Sequence, residues 1–174
     1  MNRKWLYSIA VIAALITVAV PWWWFCGAQT TVMLLRHADR DGSLDALSPA
    51  GLVRAQELVH VLEKAGLQAI IRSEFTRTQQ TAAALAMATG LTPIVFASSD
   101  IQAAVDEIHN NQRGRRVLVV GHSNTVPSII AGLGGPTLPN INENEFDNLF
   151  VMTLCRCRWF VAPPMNLQYG APSP

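Results

Sequence analysis

Short apolar runs alternate with longer segments of helical pattern from Thr31 to about Leu154. The run Arg116–Val120, for example, is dominated by β-branched and aliphatic residues, which is typical of a buried strand. Strands that alternate with helices along a chain form βαβ units, and the helices then cover both faces of the sheet. The alternation predicts an α/β fold, a three-layer sandwich with a mostly parallel sheet.

The ends of these segments follow from capping residues. Ser48 and Pro49 begin the first helix, because serine is a good N-cap and proline is favoured at the first helical position. Gly66 follows its end. The predicted strands are Thr31–Leu35, Ala69–Arg72, Thr92–Phe96, Arg116–Val120, Asn148–Leu154 and Arg158–Val161. The predicted helices are 48–65, 76–88, 100–110 and 125–133.

The N-terminal segment is more apolar than the rest of the chain. Residues 5–25 contain no charged side chain and follow Arg3 and Lys4. At about 1.5 Å per residue, a helix of this length just crosses a hydrocarbon core of about 30 Å. The basic flank predicts a cytoplasmic N-terminus and an extracytoplasmic domain. The sequence therefore predicts an N-terminal hydrophobic helix that contacts the membrane through residues 5–25.

Two interpretations of residues 1–28 stay open. Cys26–Ala28 has the small side chains that a signal peptidase needs, and cleavage there would give a periplasmic or secreted protein. The long apolar run and the interfacial character of Trp22–Trp24 favour an uncleaved signal anchor in the inner membrane. Both place the domain at residues 29–162 outside the cytoplasm. Residues 163–174, rich in proline and polar residues, are predicted to be a disordered tail.

Composition and cysteine spacing exclude some functions. The net charge is +1 and there is no basic stripe, so the sequence predicts no nucleic-acid partner. Cys155 and Cys157 are two residues apart, a spacing that on a strand separates them by roughly 6.6 Å and is awkward for a disulfide. No second cysteine or histidine pair supplies further metal ligands, so neither a metal nor another cofactor is predicted.

Polar side chains stand where three predicted strands end. Arg36 and His37 follow the first strand, Arg77 comes shortly after the second, and His122 ends the fourth. Because ligands of α/β sheets bind at the carboxyl ends of the strands, we expect these side chains to share one crevice. Two guanidiniums and two imidazoles repel each other unless an anion lies among them, and arginine matches phosphate oxygens in a bidentate manner. The set predicts a site for a phosphoryl group.

Three segments resemble the signature motifs of the histidine phosphatase superfamily, which has the phosphoglycerate-mutase-like fold. Leu34–Asp39 resembles its Arg-His-Gly motif, Ser73–Ala82 its Ser-x-x-x-Arg-x-x-x-Thr-Ala motif, and Val119–Asn124 its Gly-His-Ser motif. They occur in the order that the family has. The short insertions are most similar to the compact phosphohistidine-phosphatase branch.

The resemblance implies a role for each residue. His37 would attack phosphorus through one ring nitrogen while the other donates to a backbone carbonyl. Arg36, Arg77 and His122 would hold the non-bridging oxygens during in-line transfer. The implied activity is hydrolysis of a phosphomonoester or phosphoramidate through a phosphohistidine intermediate, without a cofactor.

Two departures from the family pattern bear on activity. Ala38 replaces the signature glycine, and the general acid expected after the third strand has no clear counterpart. Asp100 is in about the right region, and Glu145, Asp147 and Asp39 are competitors. Because a poor leaving group needs that proton, one alternative is a membrane-tethered phosphate-binding protein with little or no turnover. A phosphoglycerate-type mutase is a second alternative, which the predicted extracytoplasmic location disfavours.

The substrate is predicted only as a class. We expect a small phosphorylated molecule of the cell envelope, possible sources being a glycolipid or a phosphoprotein, since fold alone does not determine function. The acidic stretch Glu143–Asp147 is either a substrate-selecting loop or a plain solvated loop, the default for such a composition.

Overall fold

The computed structural model describes residues 29–155, 161 and 163–173, together with Tyr7, Leu15 and Thr17. The predicted hydrophobic helix at residues 5–25 therefore lies almost entirely outside the described residues. Within the part of the chain that is described, no helix is long and apolar enough to cross a membrane.

The elements follow the predicted alternation. The strands are β1 Gln29–Arg36, β2 Ala69–Ser73, β3 Ile94–Phe96, β4 Arg116–Gly121, β5 Asn148–Cys155 and β6 Met165–Gln168. The helices are α1 Pro49–Leu62, α2 Thr76–Thr89, α3 Ile101–Asn111 and α4 Thr125–Gly132. Ser48 caps α1 as expected, its hydroxyl accepting from the Gly51 amide at 3.1 Å. Of the strand predicted at 158–161, only Val161 is described, and it forms a single bridge with Leu154.

The prediction of a mostly parallel sheet is wrong, because the sheet is mixed. Its strand order is β3-β2-β4-β1-β5-β6. The first four strands are parallel, whereas β5 runs antiparallel to both β1 and β6. After α4 the chain returns over the carboxyl end of β4, where the Ile141 amide donates to the Ser123 carbonyl at 3.0 Å. Since β5 starts from that edge without a further crossover helix, it must run back antiparallel.

The three-layer arrangement is confirmed by two apolar clusters on opposite faces of the sheet. In β1, Val32 and Leu34 pack into one cluster with α3 and α4, while Met33 and Leu35 pack into the other with α1 and α2. Successive side chains of a strand point to opposite faces, so β1 is buried on both. This double burial holds the end of β1 rigidly, and Arg36 and His37 follow there.

Residues 163–173 differ from the expected disordered tail. Strand β6 pairs with β5, and the chain beyond it is bound by side chains of the domain. The buried Arg54 guanidinium donates to the carbonyls of Tyr169 and Ala171 and forms an ion pair with Asp39. The Tyr169 side chain is itself buried, so apolar burial and the bonds from Arg54 hold a segment whose proline and polar content predicts disorder.

Candidate active site

The carboxyl ends of β1 and β4 bring the two histidines of the motifs together. The His37 amide donates to the Gly121 carbonyl at 3.0 Å, which joins the two strand ends. The imidazole centroids of His37 and His122 are 5.4 Å apart. A Cβ at Gly121 would lie 2.6 Å from the Thr125 hydroxyl oxygen, so this close turn into α4 needs glycine. The expectation that these histidines share a crevice agrees with the structure.

His37 is buried, and its protonation is set by one hydrogen bond. Its Nδ1 lies 2.8 Å from the Ala38 carbonyl oxygen. Because a carbonyl can only accept, Nδ1 carries the proton and Nε2 keeps its lone pair. Burial lowers the pKa of His37 to about 3, with the nearby charge of Arg36 acting in the same direction. The imidazole is therefore neutral near pH 7 and has a nucleophilic Nε2.

His122 has the opposite tautomer. Arg77 Nη2 donates to its Nδ1 at 3.3 Å, and its Nε2 lies 2.8 Å from the Ser73 hydroxyl. Since a guanidinium can only donate, Nδ1 accepts and the proton is on Nε2. The chain continues from Ser73 to the Thr78 hydroxyl at 3.0 Å and from there to the Phe75 carbonyl at 2.7 Å. Burial, followed by the charge of Arg77, lowers the pKa of His122 to about 4.

Arg36 is buried at the edge of the crevice, and residues of the connection that follows α4 hold it in place. Its Nη1 donates to the carbonyls of Asn142 and Glu145, and its Nη2 donates to the Glu143 carboxylate at 2.7 Å. Its guanidinium carbon lies 4.3 Å from the ring centroid of Phe146, a cation–π contact. These contacts fix the guanidinium plane beside His37.

Arg77 is positioned in a similar way from the start of α2. Its Nη1 donates to Asp45 at 2.9 Å, and its guanidinium carbon lies 4.3 Å from the centroid of the Phe75 ring. Asp45 also accepts from the amides of Thr76 and Arg77. Burial opposes ionisation of Asp45, but the hydrogen bonds from the Thr76 and Arg77 amides keep its pKa below the usual value.

Both arginines have an unused donor. In the described part of the chain, the buried side-chain polar atoms without a hydrogen-bond partner are Arg36 Nε, Arg77 Nε and the Tyr169 hydroxyl. A buried N–H without an acceptor is costly, by about 1–3 kcal/mol. Two such donors, on the two guanidiniums of one cationic crevice, are suited to an anion with several oxygens.

The carboxylates predicted as general acids lie elsewhere. Asp100 caps α3 by accepting from the Ala103 amide at 3.0 Å. Asp39 pairs with Arg54, and Asp147 accepts from the Ser173 hydroxyl at 2.7 Å. The Glu145 carboxylate accepts from the Asn148 side chain, and only its backbone carbonyl contacts Arg36. The structure therefore brings Arg36, His37, Arg77 and His122 together but places Asp100 in the cap of a helix.

Sequence reasoning missed several residues of the site. Ser73 and Phe75 lie in the second motif without a predicted role of their own, and no sequence pattern points to Asp45 or Phe146. Glu143 belongs to the acidic stretch, which therefore includes a residue of the site and is more than a solvated loop. Within the described residues, no group of three or more histidine, cysteine, aspartate or glutamate side chains has the arrangement of a metal site.

The fold and this crevice define a class: an α/β protein that holds a neutral histidine among guanidiniums suited to a phosphoryl group. A family model described as the histidine phosphatase superfamily (branch 1) matches residues 32–100, which include Arg36, His37 and Arg77. The predicted resemblance to this superfamily is confirmed over that segment. No curated protein sequence matches the chain.

Several solved structures have the same fold. A mycobacterial glucosyl-3-phosphoglycerate phosphatase is 17% identical with a TM-score of 0.57, and the match covers 82% of this chain and 99% of that one. A proposed phosphohistidine phosphatase SixA from Nakamurella multipartitia is 20% identical with a TM-score of 0.55, covering 84% and 98%. A phosphoglycerate mutase from Plasmodium falciparum is 15% identical with a TM-score of 0.55, covering 84% and 93%. At these identities the similarity establishes the fold.

Proposed function

We propose that this protein is a phosphatase that hydrolyses a phosphomonoester or phosphoramidate through a phosphohistidine on His37. The observation that carries the proposal is the state of that side chain. The bond from Nδ1 to the Ala38 carbonyl leaves a neutral, buried imidazole with a free lone pair on Nε2. A nucleophile of this kind needs no base to activate it.

The arginines supply the electrostatic part of the reaction. Phosphoryl transfer needs positioning and neutralisation of charge on the three equatorial oxygens more than covalent help from the protein. The unused Nε donors of Arg36 and Arg77 are suited to two of these oxygens. The P–N bond then forms at His37 Nε2 while the bond to the leaving oxygen breaks, and water afterwards hydrolyses the phosphohistidine.

His122 takes part after a change of protonation. Its Nδ1 accepts from Arg77 in the free crevice, so this atom can donate to a phosphoryl oxygen only after it gains a proton. If Nε2 keeps its proton on the bond to Ser73, the ring is then an imidazolium. A dianionic substrate beside the ring favours that charged form, since an opposite charge nearby raises the pKa of histidine. Substrate binding and proton uptake by His122 are therefore coupled.

The location and substrate belong to the same proposal. Residues 5–25 would attach the protein to the inner membrane, or residues 1–28 would be removed as a signal peptide, and the domain would act outside the cytoplasm. A cell-envelope phosphate, on a glycolipid or a phosphoprotein, would then be within reach. The solved relative that is a glucosyl-3-phosphoglycerate phosphatase supports a small phosphorylated substrate by analogy.

A phosphate-binding protein without turnover is the second candidate. The observation that favours it is the position of Asp100, which caps α3 and supplies no proton in the crevice. Turnover of p-nitrophenyl phosphate separates the two candidates, because this leaving group needs no acid. Conversion of 3-phosphoglycerate to 2-phosphoglycerate would identify the mutase alternative instead.

The experiment compares His37→Asn with the wild-type protein on p-nitrophenyl phosphate. We expect His37→Asn to lose at least a thousandfold in kcat/KM while it still binds inorganic phosphate. His60→Asn, a substitution of an exposed histidine on α1, is the control and should keep wild-type activity. Activity of His37→Asn within tenfold of wild type would exclude the mechanism.

A further inference from the structure

Glu143 places a carboxylate directly on the phosphate-binding edge of the crevice. Its Oε2 accepts from Arg36 Nη2 at 2.7 Å, and its Oε1 accepts from the Ser123 hydroxyl at 2.9 Å. Ser123 follows His122 at the end of β4. The carboxylate therefore bridges two of the three motifs at the point where a phosphoryl oxygen would contact Arg36.

The position of Glu143 relative to solvent gives it access to a leaving group. Its side chain is 73% exposed, whereas that of Arg36 is 4% exposed, so the carboxylate covers a buried guanidinium from the open side. In-line transfer places the leaving oxygen opposite the attacking nitrogen. Since His37 is buried, the leaving group points outward, toward the side on which Glu143 lies.

We propose that Glu143 is the proton donor to the leaving group: the arriving phosphoryl group displaces its carboxylate from Arg36, and the displaced carboxyl protonates the departing oxygen. This inference rests on the proposed function and assigns a role that the carboxylates after β3 do not fill.

The displacement also changes the protonation of Glu143. In the free crevice the hydrogen bond from Ser123 and the charge of Arg36 lower the pKa of Glu143, with Arg40 acting in the same direction and burial opposing them. A dianionic phosphoryl group takes the Arg36 donor and adds negative charge nearby. Both changes favour the neutral acid. The same event that fills the anion site thus produces a carboxylic acid beside it.

The chemical steps balance. The lone pair of His37 Nε2 forms the P–N bond, the electron pair of the P–O bond goes to the leaving oxygen, and that oxygen takes the proton of Glu143. Water then attacks phosphorus and gives a proton to the Glu143 carboxylate, while the electron pair of the P–N bond returns to Nε2. The sum is hydrolysis of the ester to an alcohol and phosphate, with Glu143 protonated again.

Asp45, which contacts the other arginine, is less suited to this role. Its two oxygens accept from the amides of Thr76 and Arg77 as well as from the Arg77 guanidinium. These backbone donors stay in place whatever binds in the crevice. They hold Asp45 as a carboxylate at the start of α2, where negative charge is favoured.

The test measures how kcat/KM depends on the leaving group in Glu143→Gln. We expect this variant to lose about 100- to 10,000-fold on phenyl phosphate, whose leaving group needs a proton. On p-nitrophenyl phosphate it should stay within about threefold of wild type. Glu57→Gln, the same neutralisation at an exposed position on α1 away from the crevice, is the matched control and should change neither value by more than threefold.

Two outcomes would overturn the inference. One is an equal loss on both substrates, which would mean that Glu143 only positions Arg36. The other is a rate of Glu143→Gln on phenyl phosphate that equals the wild-type rate, which would mean that Glu143 gives no proton to the leaving group. This holds also if the wild type is itself much slower on phenyl phosphate than on p-nitrophenyl phosphate. Labelling of His37 by p-nitrophenyl phosphate in the same variant separates these outcomes from a failure of the proposed function, which would leave His37 unlabelled.

Discussion

At the scale of single residues, hydrogen-bond directions decide the chemistry of the two histidines. His37 donates from Nδ1 to a carbonyl, whereas His122 donates from Nε2 to the Ser73 hydroxyl. The proposed nucleophile therefore keeps a lone pair on Nε2, and the other imidazole directs Nδ1 toward Arg77. The hydrogen bond that one ring nitrogen makes thus determines which tautomer is present and what the other nitrogen can do.

Ser73→Ala tests this arrangement. The substitution removes the acceptor of the buried His122 Nε2–H, which costs about 1–3 kcal/mol if the donor stays unsatisfied. We expect part of the His122 population to shift to the Nδ1–H tautomer, visible in long-range ¹H–¹⁵N spectra, and kcat/KM on p-nitrophenyl phosphate to fall about tenfold. Ser98→Ala, which affects only a bond to Glu74, is the control. An unchanged tautomer in Ser73→Ala would contradict the assignment.

The four motif residues could be predicted from sequence, whereas their partners could not. Arg36, His37 and His122 directly follow or end strands, and parallel strands place such residues at one edge. Asp45 and Glu143 lie in irregular connections, where no periodicity fixes the path of the chain. Their distance from the arginines depends on turns and on loop closure, which the pattern of apolar residues does not encode.

At the scale of elements, the connection from α4 to β5 links the site to the end of the chain. It carries Glu143, Glu145 and Phe146 over Arg36, and it then enters β5. The C-terminal segment holds the last residues of this connection, since the Ser173 hydroxyl accepts from the amides of Phe146 and Asp147. The segment expected to be disordered thus supports the loop that positions Arg36.

Ser173→Ala tests this support. Without the hydroxyl, the Asp147 carboxylate and two backbone amides lose a common partner. We expect the free energy of unfolding to fall by about 1–3 kcal/mol and KM for p-nitrophenyl phosphate to rise severalfold, because Phe146 packs on Arg36. The exposed Ser99 provides the control variant Ser99→Ala. Equal stability of the two variants would refute the role of the Ser173 hydroxyl in holding this loop.

The element bounds were largely predictable, but the direction of β5 was not. The residue pattern of a strand is the same whether the strand pairs parallel or antiparallel, and the sequence of Asn148–Cys155 contains no signal for either direction. The decisive contact is the bond between Ile141 and Ser123, which returns the chain to the carboxyl edge. Because this bond joins two backbone groups, it does not depend on the side chains and cannot be predicted from the residue types.

At the scale of the whole molecule, two buried neutral histidines couple stability to pH. Burial lowers the pKa of His37 to about 3 and that of His122 to about 4, against about 6.5 in an unfolded chain. Between about pH 6.5 and pH 4 the unfolded state therefore binds more protons than the folded state, so stability falls as pH falls through this window.

We accordingly expect the melting temperature to drop from pH 7 to pH 4, and the drop to be smaller in His122→Asn. The exposed His60 serves as the control, since His60→Asn should keep the wild-type slope. All three proteins keep the same carboxylates, so the comparison isolates the buried histidine together with its interactions with Glu74 and Asp45. Identical slopes for the three proteins would mean that His122 is protonated in the folded state.

The most direct test of the central claim is to trap the phosphoenzyme. The protein is mixed with ³²P-labelled p-nitrophenyl phosphate, quenched in alkali within one turnover, and digested for mass spectrometry. We expect a label on Nε2 of His37 that survives base, is lost in acid and is absent from His37→Asn. An acid-stable label, a label on another residue, or product formed in the first turnover without any labelled protein would contradict it.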